Sequence, residues 1–565
     1  MSRCAYRCLC ALILLLPFAI QVRAQSDNLT LHTKDYTLMD RLDIKLRNDS
    51  TLAFSTVKPF NRKTFTERIA YIDSLDAAGQ LPIKLSAVDR YDIRCFLMEN
   101  NEYAPARYLD SFRLKHPILK TFYETPSHLY AVDTKDFTMR VDPVLNLQTG
   151  HANDGTGSTY LNTRGLYVRG MLAKKVGFYT YISDNQERDP LYVRQWVSAH
   201  NAVPGVGFYK PYGTNGYDYF DFRGGVSFDL IKVIHVQYAY DKLFIGNGFR
   251  SLELSDFAND YVFLRLNTRI WKIDYEMIIA QTMQSVPQVG RDMKPKNYMS
   301  IHHLSAQLAK WLNIGLYENI MESGAYGLQL SYLNPVIFYR ATESNLGTSG
   351  KANIAFDAKS NIGHHVQLYG TLLFDEFQIH ELLHYSDGSF TNKQALQGGI
   401  KYIDALGIKN LDLQGEVNLI RPFTYMNFDS TTNFTHYNQP LAHPNGANIR
   451  EFVALARYQP IPRLYVSGKI IQYLQGLDSA GYNMGNNLFD TYNTRPRDYG
   501  WHIGTGIPVH STTLGLNISW ELFDNAYIEV GGTHRTYNVQ GQPNAGVTFY
   551  SVGFRMNIGR REFDF

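Results

Sequence analysis

The residues able to do chemistry in this chain are few and poorly grouped. Histidines stand in two adjacent pairs, His302-His303 and His364-His365, and in a spaced pair, His380 and His384, near Asp375, Glu376 and Glu381. Adjacent side chains on an extended strand point to opposite faces, so neither adjacent pair can close on one ion with both rings. A helix carrying two spaced histidine ligands and a nearby acid is not evident. The Gly246-Asn247-Gly248 stretch lacks the third glycine and the following helix of a phosphate loop. Serine, histidine and aspartate of the kinds used by lipid- or peptide-cleaving enzymes occur, but no spacing singles out a set. The expectation is a protein without catalysis, cofactor or metal site.

Stepping out from those residues, the first elements define a compartment. Arg3 and Arg7 precede an apolar stretch from Ala11 to Ile20, which Val22-Arg23-Ala24 follows. That is the layout of a signal peptide over residues 1–24, cleaved before Gln25. Ten apolar residues are too few for a helical span, which needs about 20. Cys4, Cys8 and Cys10 fall in this leader, so Cys95 is the lone thiol of the mature chain and no internal disulfide can form. The formal charge of +3 is carried entirely by Arg3, Arg7 and Arg23. A neutral mature chain without a basic stripe excludes simple nucleic-acid binding.

The 40 Tyr and 32 Phe, 19% charged residues and a negative mean hydropathy fit strands that face lipid on one side and water on the other. Residues 25–135 read differently, with helical spacing in Phe65, Ile69, Ile72 and Leu75 and again in Leu85, Val88, Ile93 and Phe96. They predict a small helical domain in the periplasm. From 136 to 565 the period is two. Ile234, Val236, Tyr238 and Tyr240 alternate with His235, Gln237, Ala239 and Asp241, and Leu411, Leu413, Val417 and Leu419 with Asp412, Gln414, Glu416 and Asn418. Short turns near Lys174-Lys175, 231–233, Trp271-Lys272, Trp311, 405–409, 460–463 and 523–525 alternate with long connections at 187–216, 241–259, 283–299, 375–392, 421–448 and 475–508. This rhythm predicts an antiparallel outer-membrane β-barrel of about 18 strands. The last predicted strand holds Tyr550, Val552, Phe554, Met556 and Ile558, and the chain stops at Phe563-Asp564-Phe565, a terminal aromatic of the kind barrel-insertion machinery reads.

Ordered motifs then carry a resemblance. DKLFIGNGFRSLELSDF at Asp241 to Phe257 is similar to the capsule-assembly Wzi family of outer-membrane proteins. SYLNPVIFYRATES from Ser331, YGTLLFDEF from Tyr369, NKQALQGGIKY from Asn392, LQGEVNLIRPFTY from Leu413 and YNQPLAHPNGAN from Tyr437 resemble its RemB-like, gliding-motility branch. DRLDIKL at Asp40 and KPFNRKTF at Lys58 extend the likeness into the helical region. The resemblance implies an 18-stranded barrel with a periplasmic helical region that holds capsular or other surface polysaccharide, with a motility or adhesion role as the alternative. A porin or substrate channel is the further alternative.

The long connections supply aromatic planes and hydrogen-bonding groups suited to sugars: Trp196, Tyr209, Arg250, Asp375, Arg421, Tyr425 and His443 are the candidate ligand contacts. Asp241, Asp256, Glu376, Glu416 and Asn418 are candidates for a lumen plug, where buried charge must be paired. Membrane lipids, lipopolysaccharide and polysaccharide are the partners expected.

Overall fold

A computed structural model describes residues 27–286, 293–336, 338–346, 350–376, 380–381 and 384–565. The predicted leader, 1–24, lies outside these residues. Helices α2 Arg62–Ala77 and α3 Ala87–Glu99 form where the apolar spacing places them, and α1 Lys34–Leu46 and a short α4 Ala106–Phe112 flank them. Asn61 caps α2 by accepting from the Thr64 N–H, and Ser86 with Asp89 forms a capping box on α3. Leu42, Phe65, Ile69, Ile72, Ile93 and Phe96 close the core of this bundle, against which the buried Cys95 lies.

The bundle sits in the short-turn end of the barrel and is bonded to it by charge. Lys34 Nζ reaches Glu521 and Asp524 at 2.5 and 3.0 Å. Arg41 pairs with Asp404 and Asp412, Lys359 Nζ with Asp43 at 2.9 Å, and Asn525 Nδ2 donates to Glu99 at 2.9 Å. Each pair joins a helix to a strand end or turn, so the helices close that mouth.

The barrel strands are β1 Phe137–Ala152, β2 Gly157–Leu172, β3 Val176–Arg188, β4 Gly216–Ile231, β5 Ile234–Asp241, β6 Tyr261–Ile270, β7 Ile273–Met283, β8 Lys296–Ala309 and β9 Leu312–Ser323. They continue as β10 Lys351–Ile362, β11 Val366–Glu376, β12 Lys393–Tyr402, β13 Leu411–Ile420, β14 Ile449–Tyr458, β15 Leu464–Leu477, β16 Ile507–Phe523, β17 Ala526–Val539 and β18 Ala545–Met556. Every neighbour is antiparallel, and β18 pairs with β1 from Phe549↔Ala152 to Met556↔Leu145, closing an 18-stranded barrel. Closure leaves no free sheet edge, the condition for strands to cross a bilayer. No helix among the described residues is long and apolar enough to do so.

Alternation sets the two faces. Tyr238, Leu304, Phe356, Leu396, Val417, Phe452, Leu516, Val530 and Val552 are exposed on the outer wall, while Gln237, Arg265, Asp357, Gln397, Glu416 and Glu451 are buried inside. Exposed Trp271 and Trp311 stand in short turns, where an interfacial aromatic belt belongs. Four connections add to those the sequence predicts: short ones at 153–156, 363–365 and 540–544, and the one between β9 and β10. A tight turn at 363–365 joins β10 and β11 and holds His364 and His365, which are therefore not on a strand; His364 Nδ1 donates to the Lys45 carbonyl at 2.7 Å. In the connection after β9, Tyr332, Pro335 and Tyr339 pack against the outside of β7 to β9. There Tyr339 O–H meets His302 Nε2 at 2.7 Å, and its N–H donates to Glu318 at 3.0 Å.

The last strand ends at Met556, and residues 557–565 turn back into the lumen. Phe565 is buried there against Tyr192, Trp196 and Phe257, so the final aromatic belongs to the short tail that follows the last strand and packs in the lumen. The lumen is also not uniformly polar. Phe263, Ile278, Ile301 and Tyr317 point inward from the strands and pack on Leu252, Leu254, Phe423 and Tyr425 from the long connections.

Candidate functional site at the outer mouth

The 242–260 connection is the spine of the plug. It enters from the long-loop end and descends until Phe244 and Ile245 pair with Lys58 and Val57 of the helical bundle. Backbone from one mouth thus meets backbone from the other. Gly248 is required for this path, because a Cβ there would lie 2.4 Å from Glu416 Oε2 and 2.8 Å from Gln397 Oε1.

That close approach builds a sealed polar centre. Glu416 accepts from the Phe249 and Arg250 N–H groups at 2.7 and 3.1 Å and from the Tyr369 hydroxyl at 2.8 Å. Arg250 Nη2 donates to Glu451 at 3.0 Å and to the Asp564 carbonyl at 2.6 Å. Asn418 Nδ2 bridges Glu416 and Glu451 at 2.9 and 3.0 Å, and His443 Nε2 lies 2.9 Å from the same Glu451 oxygen, Oε2. Two buried carboxylates, one guanidinium and one imidazole satisfy one another, which is how charge survives in a dry interior.

The other candidates from the sequence are knitted in the same way. Asp375 pairs with Lys351 and accepts from the Tyr425 N–H at 2.5 Å, while the Tyr425 hydroxyl donates to the Leu252 carbonyl at 2.8 Å. Arg421 donates to the carbonyls of Asn392, Ser389 and Trp501 at 2.7, 3.4 and 3.3 Å, clamping three connections together. Glu376 pairs with Lys393 at 2.6 Å, Asp241 accepts from the Tyr179 hydroxyl at 2.6 Å, and Asp256 meets His32 at 2.7 Å. Burial opposes ionisation of Asp256, but the His32 imidazole outweighs it and holds the carboxyl down at about 2.

Of the seven residues read as ligand contacts, Arg250, Asp375, Arg421, Tyr425 and His443 are buried with their polar groups bonded inside the protein. They join the plug group, because long connections folded inward must pair the charge they carry. Trp196 and Tyr209 alone keep open surface. Trp196, on α5 Leu191–His200, stacks on His200 with ring centres 3.9 Å apart, and Tyr209 meets Tyr217 edge-on at 5.0 Å.

Outside this seal residues 384–392 and the connections 421–448 and 478–506 form one cap. Trp501 N–H donates to the Gly388 carbonyl at 2.8 Å, Phe423 N–H to Gly485 at 2.9 Å and Asn433 Nδ2 to Leu488 at 2.8 Å. Trp501 is wholly buried beneath it. The cap leaves rings facing out: Tyr385, Phe428, Tyr482 and Tyr499 are 50, 50, 46 and 53% exposed, and Phe208 beside Tyr209 is 61% exposed. Sequence reasoning missed the four cap rings and Glu451. Glu451 carried a usable signal, the inward phase of Ile449 and Val453, whereas the cap rings sit in irregular loops with no period to read.

No family model matches the chain, and no curated protein matches it. Solved structures match in fold. The Escherichia coli outer-membrane protein Wzi, described as involved in group 1 capsule assembly and as a carbohydrate-binding β-barrel, is similar over 95% of this chain and 100% of its own, with a TM-score of 0.52 and 10% identity. Pseudomonas aeruginosa OccK5 (OpdH) aligns over 74% of this chain and 98% of its own, with a TM-score of 0.40 and 9% identity. OprD of the same organism covers 74% and 94%, with a TM-score of 0.40 and 11% identity. This chain has the fold of an outer-membrane β-barrel.

Proposed function

We propose that the protein binds exported polysaccharide at the cell surface and does so without catalysis. The observation that carries this reading is the combination of a closed mouth with outward aromatic rings. Tyr385, Phe428, Tyr482 and Tyr499 are about half-exposed on a cap tied together by hydrogen bonds, the Arg421 guanidinium lying over one face of the Tyr385 ring at 4.6 Å. Sugar rings offer C–H faces to such planes and hydroxyl edges to neighbouring carbonyl and amide groups. The fold shared with Wzi, described as carbohydrate-binding, supports the same reading. Lipopolysaccharide would border the cap where the outer wall meets the surface.

The test is binding of purified capsular polysaccharides to the wild-type barrel and to Tyr385→Ala/Tyr499→Ala and Trp196→Ala/Tyr209→Ala variants, with heat-modifiable gel migration reporting the fold. Stacking worth about 0.5 to 1.5 kcal/mol per ring predicts a loss of roughly 10-fold for a pair of rings that contact the polymer. Unchanged binding by both folded double variants, or cleavage of the polymer, would remove the proposal. The RemB-like motifs from Ser331 to Asn448 support a second reading, motility or adhesion. Deleting the gene and measuring cell-bound capsule beside surface spreading separates the two, since retained capsule with lost spreading favours the second.

A further inference from the structure

Glu253 is 1% exposed, and neither of its carboxylate oxygens has a hydrogen-bond partner. Among the described residues no lysine or arginine forms an ion pair with it. It hangs from the 242–260 connection over the inner wall of β8, β9 and β10. There His303 Nε2 lies 2.8 Å from Asp357 Oδ2, both side chains being 1% exposed.

These two residues sit on strands separated by β9, roughly 10 Å apart by strand spacing. Gly315 lets them meet. It faces Asp357 in register, and a Cβ at that position would collide with the Asp357 carboxylate, so the missing side chain is what allows the carboxylate to lie across β9. The Tyr317 hydroxyl donates to the Glu253 carbonyl at 3.1 Å and fixes the backbone above the wall, while Asn247 Nδ2 donates to the second Asp357 oxygen at 3.3 Å. One ligand atom from each of Glu253, His303 and Asp357 lies within 4.8 Å of the others.

We propose that Glu253, His303 and Asp357 bind a divalent transition-metal cation of the Zn2+ class, which staples the plug to the barrel wall. The imidazole nitrogen and carboxylate oxygen, 2.8 Å apart in a hydrogen bond, would part by about 0.5 Å or a little more to reach the edge of roughly 3.3 to 3.6 Å between tetrahedral ligands bound at about 2.0 to 2.2 Å. Glu253, unbonded at its tip, closes the third edge by side-chain rotation. Two carboxylates and a neutral imidazole balance a dication, and the nitrogen ligand favours a transition metal over Ca2+ or Mg2+, which take oxygen. His302, the other member of the pair, faces outward to Glu318 and takes no part.

The experiment refolds the full barrel from urea in detergent with ZnCl2 after chelator stripping and measures zinc per chain by elemental mass spectrometry following gel filtration. His380→Gln/His384→Gln serves as the background, because those exposed rings lie 4.5 Å apart and could hold zinc at the surface. One retained equivalent, not displaced by millimolar Ca2+ or Mg2+, is expected. Glu253→Gln and His303→Gln should each weaken retention by about 100-fold or more while keeping the heat-modifiable band. If one fails to fold, the other carries the test. Absence of retained zinc in the background protein, equal retention by a folded variant, or preference for Ca2+ would overturn the site. A protonated-carboxyl infrared band in the zinc-treated background protein that Glu253→Gln removes would overturn it as well, since the carboxyl would then be a neutral acid.

Discussion

Replacing Arg250 with Ala leaves Glu451 as a buried carboxylate stripped of its strongest partner. Arg250 Nε lies 3.3 Å from both Glu451 oxygens and Nη2 lies 3.0 Å from one, and the Glu451 side chain is fully shielded from solvent. Removing one member of a buried ion pair destabilises by about 3 to 5 kcal/mol. Asn418 and His443 still hold Glu451, so the lower end, about 3 kcal/mol, is expected. Arg250→Ala also frees the Asp564 carbonyl and with it the tail that fills the lumen. The double replacement Arg250→Met/Glu451→Met removes both charges at similar volume and should fall well below the sum of the single variants. The assay is reversible urea unfolding in lipid vesicles followed by tryptophan fluorescence, comparing Arg250→Ala with wild type and closing a double-mutant cycle with Arg250→Met, Glu451→Met and the double replacement. An Arg250→Ala loss under about 1 kcal/mol, or single effects that simply add, would refute the view that this pair fastens the plug.

A sealed lumen predicts no large steady conductance for the wild-type protein in planar bilayers, whereas wide open steps would favour a channel. Burial pushes Asp92, on α3 at the short-turn mouth, from its ordinary 3.8 to about 6, despite a 3.1 Å hydrogen bond from Gln459. A carboxyl raised on folding stabilises fully below pH 3.8 and loses that contribution as pH rises through about 6, up to about 3 kcal/mol. Asp92→Asn should therefore raise the urea midpoint at pH 7.5 and flatten its change between pH 4 and 7; parallel wild-type and variant profiles would contradict this.

The strand period, the inward phase of Arg265 and Glu416 and the outward phase of Val417 were legible without coordinates, because a side chain's face on a strand depends only on parity and the bilayer punishes the wrong choice. Helices α2 and α3 were legible for the same local reason, their apolar spacing and caps. What the long connections do was not. Whether a loop of aromatics and charges reaches outward or folds into the lumen depends on the partners it finds there. Arg250 needs Glu451, 201 positions away, and Asp375 needs Lys351 across a neighbouring strand. Local pattern cannot report such pairs, and so the sequence read Arg250, Asp375, Arg421, Tyr425 and His443 by residue type as sugar contacts, while the tertiary structure uses them to lock the plug. The same limit hid the meeting of Glu253, His303 and Asp357. It depends on a glycine at position 315 lying between two strands, a coincidence of register that exists only once the barrel is closed.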